Sequence, residues 1–283
     1  MQQQLDMAAK AQLSGKMLRG DVGVIIGAGG NVGVLKGADG AVLVDSSYST
    51  AAEHLWEQVN ALGIQKVPLL INTHWHFDHT DGNAALHARG ARILAHAQTR
   101  HWMSQDHEIN VPGLFDHAVI EAAPKAGLPD DVMTSERTLK HGGETMRLKH
   151  YPAAHTDSDI AIFFEKANVV HTGDLYFSTS YPMIDFTTGG RISGMIDAGH
   201  KILAATNEET IIIPGHGPIA TRQQYADYVT MMETIEKTVQ MLKQQGKSVD
   251  EVVAAKATAA FDDQWGKGFI KPDGFARLVY LSM

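Results

Sequence analysis

Short hydrophobic runs separated by turn residues dominate the first third of the chain. Runs rich in valine, isoleucine and leucine that end at glycine-rich turns predict strands. Five such runs lie at 22–26, 32–35, 41–44, 68–73 and 92–95. The first three follow one another closely, which predicts an antiparallel meander. Apolar residues three or four positions apart predict helices instead, and these lie at 51–62, 82–88 and 96–105.

Both patterns return in the second half of the chain. Strands are predicted at 144–148, 160–164, 167–171 and 210–213, and helices at 192–205, 225–244 and 249–260. Residues 106–137 carry three prolines and a weaker pattern, which predicts a lid loop. Because no linker separates these elements, we expect a single α/β domain over 1–283, with an N-terminal extension at about 1–19.

The composition narrows the classes of function. With 44% hydrophobic and 20% charged residues, the chain can bury one large core. The net charge of -8 argues against a nucleic-acid partner, and no apolar run reaches the length of a membrane span. The absence of cysteine excludes thiol catalysis and cysteine-bearing zinc sites. We therefore expect a small-molecule substrate, with the oligomeric state left open.

The N-terminal sequence bears on localisation. It lacks the apolar centre of a signal peptide. A cytoplasmic protein is the default expectation, and a periplasmic protein is the alternative if a leader has been removed.

One short segment, residues 74–79, stands out chemically. The sequence His74-Trp75-His76-Phe77-Asp78-His79 contains four potential metal ligands. Alternate residues of an extended chain project to one side, so His74 and His76 can reach the same ion. Imidazole and carboxylate groups suit Zn²⁺. Four ligands in so short a segment can hardly all converge on one tetrahedral ion, which favours two metal ions.

A glycine-rich run at 27–33 invites a different interpretation. A dinucleotide-binding fingerprint must open a helix. This run instead leads into the predicted strand at 32–35. We interpret it as a hairpin turn that borders the substrate without binding a cofactor.

Four separate segments resemble, in the same order, the zinc motifs of the metallo-β-lactamase superfamily. They are Thr73–Asn83, Ala154–Asp157, Val169–Asp174 and Ile213–Gly217. The resemblance extends over roughly residues 20–245 and implies an α/β fold that forms a four-layer αββα sandwich.

The resemblance also implies seven ligands for two zinc ions per chain. One ion would be held by His74, His76 and His155. The other would be held by Asp78, His79 and His216, and Asp174 would bridge the pair. Both aspartates are expected to be catalytic, because a hydroxide shared by the two ions attacks a carbonyl carbon while Asp78 passes a proton to the leaving group.

The implied substrate is a carboxylic ester, lactone, thioester or cyclic amide. The cysteine-bearing β-lactamases of the family carry a cysteine where this chain has Asp174 and a lysine where it has Phe177. The segments Tyr181–Asp185 and Gly189–Met195 instead resemble a broad family of bacterial hydrolases. A true β-lactamase and a non-catalytic zinc-binding protein on the same fold stay as alternatives.

Further residues are expected near the metal ions. The substrate groove is expected to include Trp75, Tyr176, Tyr181 and Arg191. Asp45 is expected to position a ligand, and His96 and His171, at strand ends near the site, are candidates for the same role, with an ordinary core or solvated histidine as the alternative. For Asp45, a helix N-cap is an equally good interpretation.

Overall fold

The structure, a computed structural model, describes residues 2–111 and 114–283. Residue 1 of the predicted extension and residues 112 and 113 of the predicted lid loop lie outside the described residues. The strands are β1 (Ser14–Arg19), β2 (Val22–Ile26), β3 (Val32–Gly37), β4 (Gly40–Val44), β5 (Leu69–Ile71), β6 (Arg92–His96), β7 (His107–Val111), β8 (Phe115–Ile120), β9 (Asp131–Met133), β10 (Arg137–His141), β11 (Glu144–His150), β12 (Ile160–Phe164), β13 (Val169–His171), β14 (Ile211–Ile213) and β15 (Ala220–Thr221). The helices are α1 (Gln2–Ala8), α2 (Ala52–Ala61), α3 (Phe77–Thr80), α4 (Asn83–Ala88), α5 (Ala97–Met103), α6 (Ile192–Ala204), α7 (Arg222–Gln244), α8 (Val249–Ala254), α9 (Asp262–Trp265) and α10 (Pro272–Leu281).

The chain divides into two compact units, each assembled from three segments. The first comprises Met1–His107, Ile120–His150 and Ile160–Gly173, and the second comprises Glu108–Val119, Tyr151–Asp159 and Asp174–Met283. The predicted α/β class is confirmed, whereas one domain over the whole chain stays a prediction. Within the described residues, every helix is too short or too polar to cross a membrane.

A seven-stranded sheet organises the first unit, in the order β1-β2-β3-β4-β5-β6-β9. Strands β2, β3 and β4 pair antiparallel, which confirms the predicted meander. Strands β4, β5 and β6 pair parallel, and the last residues of β4 and β5 lie opposite each other, Val44 beside Ile71, with Leu94 of β6 opposite Ile71. Since parallel strands end at the same edge of a sheet, the residues that follow these strands come together there.

The core of the first unit lies between this sheet and the helices beside it. Leu55 and Val59 of α2 and Leu86 of α4 cluster with Leu43 and Leu70 of the sheet. The four-residue spacing in α2 places both side chains on one face of the helix. Burial of each such side chain contributes about 1.5–3 kcal/mol. The same unit contains β10, β11, β12 and β13, which pair antiparallel in that order.

Helices dominate the second unit, where α6 packs against α7, and α10 packs against α7 and α8. Helix α7 begins at Arg222, earlier than predicted, because Thr221 and Gln224 form a capping box. The helix predicted at 249–260 ends at Ala254. Shortly afterwards Lys256 adopts a left-handed conformation with φ of 53°, which interrupts the helix.

Two regions with weak sequence patterns form regular structure. Residues 14–19 of the predicted extension form β1, which pairs antiparallel with β2. Within 106–137, β7 and β8 form a two-stranded sheet, and β9 pairs with β6. Strand β1 has no fully buried side chain, so the apolar alternation that reveals a half-buried strand is weak there. A role of 106–137 as a lid stays a prediction.

Candidate metal centre

The carboxyl ends of β4 and β5 place a carboxylate next to the 74–79 segment. Asp45 follows β4 directly, and its backbone N–H donates to the carbonyl of Ile71 at 2.8 Å. The side chain of Asp45 is fully buried, and its backbone lies in the left-handed region with φ of 69°. This uncommon conformation for a non-glycine residue turns the chain sharply out of the strand.

Both oxygens of Asp45 are used. Oδ1 accepts the backbone N–H of Thr73 at 2.7 Å, while Oδ2 accepts the Thr73 hydroxyl at 2.7 Å and Nδ1–H of His79 at 2.8 Å. A carboxylate can only accept, so the proton of His79 lies on Nδ1 and its Nε2 is available as a metal ligand. The N-cap interpretation of Asp45 is wrong, because the residue that precedes the next helical turn is Tyr48.

The histidines of the 74–79 segment lie close together. The ring of His74 lies 4.9 Å from that of His76 and 4.3 Å from that of His79, measured between centroids. The Thr73 hydroxyl donates its hydrogen to Asp45, so it can only accept from His74. His74 therefore donates Nδ1–H to this hydroxyl at 3.0 Å. An oxygen of Asp78 lies 3.6 Å from Nε2 of His79. The segment therefore offers imidazole and carboxylate atoms at distances that suit shared metal ions.

A buried pair of asparagine side chains, Asn72 and Asn83, packs beside the 74–79 segment. Asn72 and Asn83 exchange hydrogen bonds at 3.0 and 2.8 Å, and the Ser46 hydroxyl donates to Asn83 at 2.7 Å and to the carbonyl of His79 at 3.1 Å. All three side chains are fully buried. The sequence pattern does not single them out as functional. The only signal is that two asparagines flank the histidine-rich segment, one after a strand and one at a helix start.

The glycine-rich turn at 27–33 joins β2 to β3, as the hairpin interpretation predicts. It comes close to the ligand segment, because Gly30 N–H donates to the carbonyl of Asp78 at 3.1 Å. A Cβ atom at Gly30 would lie 2.1 Å from the ring of His79, and one at Gly29 would lie 2.5 Å from the carbonyl of Asp78. Only glycine permits this approach.

The second unit places two histidines, both potential ligands, around one carboxylate. Oδ2 of Asp174 lies 3.5 Å from Nε2 of His155 and 3.4 Å from Nε2 of His216. His155 is fully buried and donates Nδ1–H to the carbonyl of Met183 at 2.8 Å. This contact fixes the tautomer that presents Nε2 to a metal ion.

The loop after Tyr181 holds the segment that carries His155. Asp185 N–H donates to the carbonyl of His155 at 2.9 Å, and Arg191 N–H donates to the carbonyl of Ala154 at 2.8 Å. The buried carboxylate of Asp185 accepts hydrogen bonds from Thr187 and Thr188 within the same loop. The chain segments that resemble bacterial hydrolases therefore act as a scaffold for His155.

The same region contains a buried acid. Burial raises the pKa of Asp159 well above its usual value, and the nearby Asp174 carboxylate raises it further. Hydrogen bonds from Thr156, to both oxygens of Asp159 at 2.8 Å, act in the opposite direction. Asp159 thus closes the turn that follows His155.

Phe177 packs directly against the histidines of the second unit. Its ring stacks on that of His216 with centroids 5.1 Å apart and meets the ring of His155 edge-on at 6.0 Å. Ser178 N–H donates to the carbonyl of His216 at 3.0 Å. An aromatic ring therefore occupies the position three residues beyond Asp174.

Two of the residues expected in the substrate groove lie in the protein interior, which corrects that expectation. Tyr176 is 1% exposed and packs against Tyr225 and Tyr228. Tyr181 is fully buried, stacks on Phe275 and donates its hydroxyl to Asp262 at 2.8 Å. Burial raises the pKa of both hydroxyls above the usual value. Neither tyrosine is positioned to stabilise a substrate.

The other two expected groove residues differ from each other. Trp75 is 2% exposed, and its ring lies 4.8 Å from that of His76. Arg191 is exposed and donates from its guanidinium to the carbonyl of Gly190 at 2.8 Å. A groove role for these two residues stays a prediction.

His171 and His96 use their rings in local contacts. His171 donates Nε2–H to the carbonyl of Asn31 at 3.0 Å and accepts the N–H of Gly173 at 3.1 Å. It therefore connects the glycine-rich turn to the residue that precedes Asp174. His96 caps α5 and stacks on His150 with centroids 3.7 Å apart.

Comparison with known proteins identifies the family of this chain. The family model of the metallo-β-lactamase superfamily matches residues 25–217. The chain belongs to this superfamily. It is 30% identical over 190 residues to a probable metallo-hydrolase of Methanocaldococcus jannaschii, a match that covers 65% of this chain and 86% of the relative.

Two solved structures show the fold of the superfamily. A metallo-β-lactamase from Pontibacter korlensis is similar with a TM-score of 0.62 and 17% identity, over 78% of this chain and 99% of that chain. A sec-alkylsulfatase from Pseudomonas sp. is similar with a TM-score of 0.70 and 16% identity, over 98% of this chain and 51% of that chain. The predicted fold type is confirmed. The protein is a metallo-hydrolase of this superfamily with His/Asp clusters able to bind metal.

Proposed function

We propose that the protein is a zinc-dependent hydrolase with two zinc ions per chain. One ion is held by His74, His76 and His155. The other is held by Asp78, His79 and His216, with Asp174 as the bridge. The proposal is supported within each unit. In the first, an oxygen of Asp78 lies 3.6 Å from Nε2 of His79, and in the second, Oδ2 of Asp174 lies 3.5 Å from Nε2 of His155 and 3.4 Å from Nε2 of His216.

The observation that carries the proposal is the orientation of the imidazoles. His79 donates a hydrogen bond from Nδ1–H to the carboxylate of Asp45, and His155 donates one from Nδ1–H to the carbonyl of Met183. A carboxylate or carbonyl that holds one ring nitrogen is the usual partner of a metal-binding histidine. The donor set of imidazoles and carboxylates without cysteine suits Zn²⁺.

The bound ions supply an activated water and charge stabilisation for the developing oxyanion. Two aspartates of the chain are proposed to take part in the reaction. Asp78, whose side chain is 17% exposed, is proposed to pass a proton to the leaving group. Asp174 is 4% exposed and holds its carboxylate between two histidines.

The proposed substrates are carboxylic esters, lactones, thioesters and cyclic amides. Phe177 supports a preference for substrates without a carboxylate, because it stands where cysteine-bearing β-lactamases carry a lysine and its ring stacks on His216. A charge-assisted contact to a lactam carboxylate contributes about 1.5–3 kcal/mol. A site without that contact is expected to bind penicillins weakly.

The test combines metal content with turnover. Protein purified without chelator, with zinc in the growth medium, is expected to contain about two zinc ions per chain. The same preparation is then assayed with p-nitrophenyl acetate, an acyl-homoserine lactone, an acyl thioester, nitrocefin, a carbapenem and bis-p-nitrophenyl phosphate.

Each result decides between the alternatives. Cleavage of the ester or lactone supports the proposal. Carbapenem kcat/KM above about 10⁵ M⁻¹s⁻¹, which lies inside the normal range for enzymes, identifies a true β-lactamase. A zinc-loaded protein without turnover of any substrate is a non-catalytic zinc-binding protein, and one zinc that does not increase on titration removes the binuclear centre.

A further inference from the structure

A cavity of about 270 Å³ lies in the first unit beside the 74–79 segment. Its wall is mainly apolar and includes the indoles of Trp75 and Trp102 and the side chains of Phe77, Met103 and Ile120. The two indole centroids lie 6.3 Å apart. The ring of His107 packs edge-on against both indoles, at 5.3 and 4.9 Å, which helps to fix this wall.

The cavity shares residues with the segment that carries the proposed ligands. Trp75 stands between His74 and His76 in the sequence, and its ring lies 4.8 Å from that of His76. Phe77 directly precedes Asp78, and both aromatic side chains line the cavity. A molecule in the cavity therefore contacts the segment on which the proposed metal ligands lie.

The polar groups of the wall are mostly used within the protein. Thr80 donates its hydroxyl to the carbonyls of Trp75 and His76 at 3.2 and 3.1 Å. The carboxylate of Asp81 accepts the backbone N–H of Ser49 at 2.7 Å. Among the described residues that line the cavity there is no lysine, arginine or histidine. The wall also includes a second carboxylate, that of Glu121, so it repels an anion, while its larger apolar part favours an uncharged apolar group.

The size of the cavity limits the occupant. A water molecule takes up about 30 Å³ of liquid, so the cavity has room for about nine waters. Its volume lies just below the range for small-molecule sites, about 300–1,000 Å³. It therefore suits one part of a substrate, such as a medium-length acyl chain, better than a whole drug-sized molecule.

We propose that this cavity binds the uncharged acyl chain of the substrate and makes the enzyme selective for medium-chain acyl compounds. The proposal rests on the proposed hydrolase function for its catalytic consequence. Binding of an acyl chain does not depend on turnover, so the two proposals can fail separately.

The first experiment measures chain-length selectivity with p-nitrophenyl acetate, butanoate, hexanoate and octanoate. Burial of one CH₂ group contributes about 0.8 kcal/mol, which corresponds to a gain of about fourfold in kcat/KM for each buried methylene. Ala123→Trp places an indole at the cavity wall and is expected to reduce the octanoate-to-acetate ratio by more than about tenfold. The matched control is Ala61→Trp on the exposed end of α2, which is expected to keep the wild-type ratio.

The second experiment measures binding by calorimetry with octanamide, acetamide and tetramethylammonium. Octanamide is expected to bind saturably to the wild type and to Ala61→Trp, and at least tenfold more weakly to Ala123→Trp. Acetamide is expected to show no saturable binding. If octanamide binds but no ester is cleaved, the acyl-chain site stands and the hydrolase proposal fails.

Two results overturn the acyl-chain site. One is ester cleavage without chain-length dependence, together with no binding of octanamide, which leaves the hydrolase proposal intact. The other is tighter binding of tetramethylammonium than of octanamide, which identifies the aromatic wall as a site for an organic cation.

Discussion

The two units orient their potential metal ligands by different means. In the first unit, one buried carboxylate orients the ligand segment, because Asp45 accepts hydrogen bonds from both Thr73 and His79. In the second unit, the potential ligands come from three separate segments, and the orientation shown for His155 depends on a main-chain atom. The carbonyl of Met183 accepts the Nδ1–H of His155.

This difference predicts unequal sensitivity to mutation. A single substitution removes the carboxylate of Asp45, whereas no substitution removes the carbonyl of Met183. The orientation of ligands in the first unit therefore depends on one side chain. In the second unit it is distributed over a loop, and each side chain of that loop contributes less.

The largest effect is expected at the carboxylate proposed to bridge the metal ions. Asp174→Asn keeps the volume and removes the charge, so zinc affinity and turnover should fall by more than about 100-fold, beyond the range typical of residues that only position ligands. Zinc content after chelator competition and ester turnover measure the effect. The matched control is Asp227→Asn on the exposed face of α7. Wild-type zinc content and rate in Asp174→Asn would place this residue outside the coordination sphere.

Asp45→Asn is expected to have the next largest effect, a loss of about 10–100-fold in zinc affinity. The amide cannot accept from both Thr73 and His79 with the strength of a carboxylate. Asp131→Asn is the control in the same unit. It also removes a paired carboxylate, but the partner is Arg137 at 2.8 Å and not a potential metal ligand. Equal zinc affinities in the two variants would contradict the positioning role of Asp45.

Asp185→Asn sharpens the comparison from the side of the second unit. The asparagine has one side-chain oxygen fewer, so either the N–H of Thr187 or the hydroxyl of Thr188 loses its acceptor. The loss costs about 1–3 kcal/mol of folding free energy. Zinc affinity should fall by less than about tenfold, because the main chain still holds His155. Thermal unfolding and zinc titration test both parts. A larger loss of zinc affinity than in Asp45→Asn would reverse the proposed ranking.

The smallest effect is expected for Phe177→Lys. The new ammonium group provides the missing partner for a lactam carboxylate but gives up the stack on His216. We expect KM for nitrocefin to fall by about fivefold, with less change in kcat. Phe261→Lys adds the same charge elsewhere in the second unit and should leave nitrocefin kinetics unchanged. An unchanged KM in Phe177→Lys shows that another residue sets the weak binding of lactams.

The parts of the fold that follow from local patterns were accessible from the sequence. Strong apolar runs predict the meander and β5, and the histidine-rich segment follows β5 directly. The contacts of Asp45 with Thr73 and His79 agree with the position of a carboxylate that the resemblance to the superfamily implies after this strand, and its positioning role stays a prediction. These features depend on residues near one another in the sequence or on a single rule of sheet geometry.

Features set by distant packing were not accessible. Tyr176 and Tyr181 look like substrate contacts because they follow Asp174, but α7 and α10 bury them through Tyr225 and Phe275. The reciprocal amide pair of Asn72 and Asn83 likewise exists only after the chain has folded back. A polar residue in a sequence does not reveal whether its partner lies in the solvent or in the core.

The glycine turn between β2 and β3 has a consequence for directed evolution of this protein. Random libraries at positions 29 and 30 would consist mostly of variants that cannot accommodate their own Cβ beside Asp78 and His79. Ala28, whose carbonyl accepts the hydroxyl of Ser47, already carries a Cβ without conflict. Because Ala28 is itself buried in a cluster with Tyr48 and Ala51, a library that keeps residues 28–30 unchanged would retain more folded variants than one that randomises this turn.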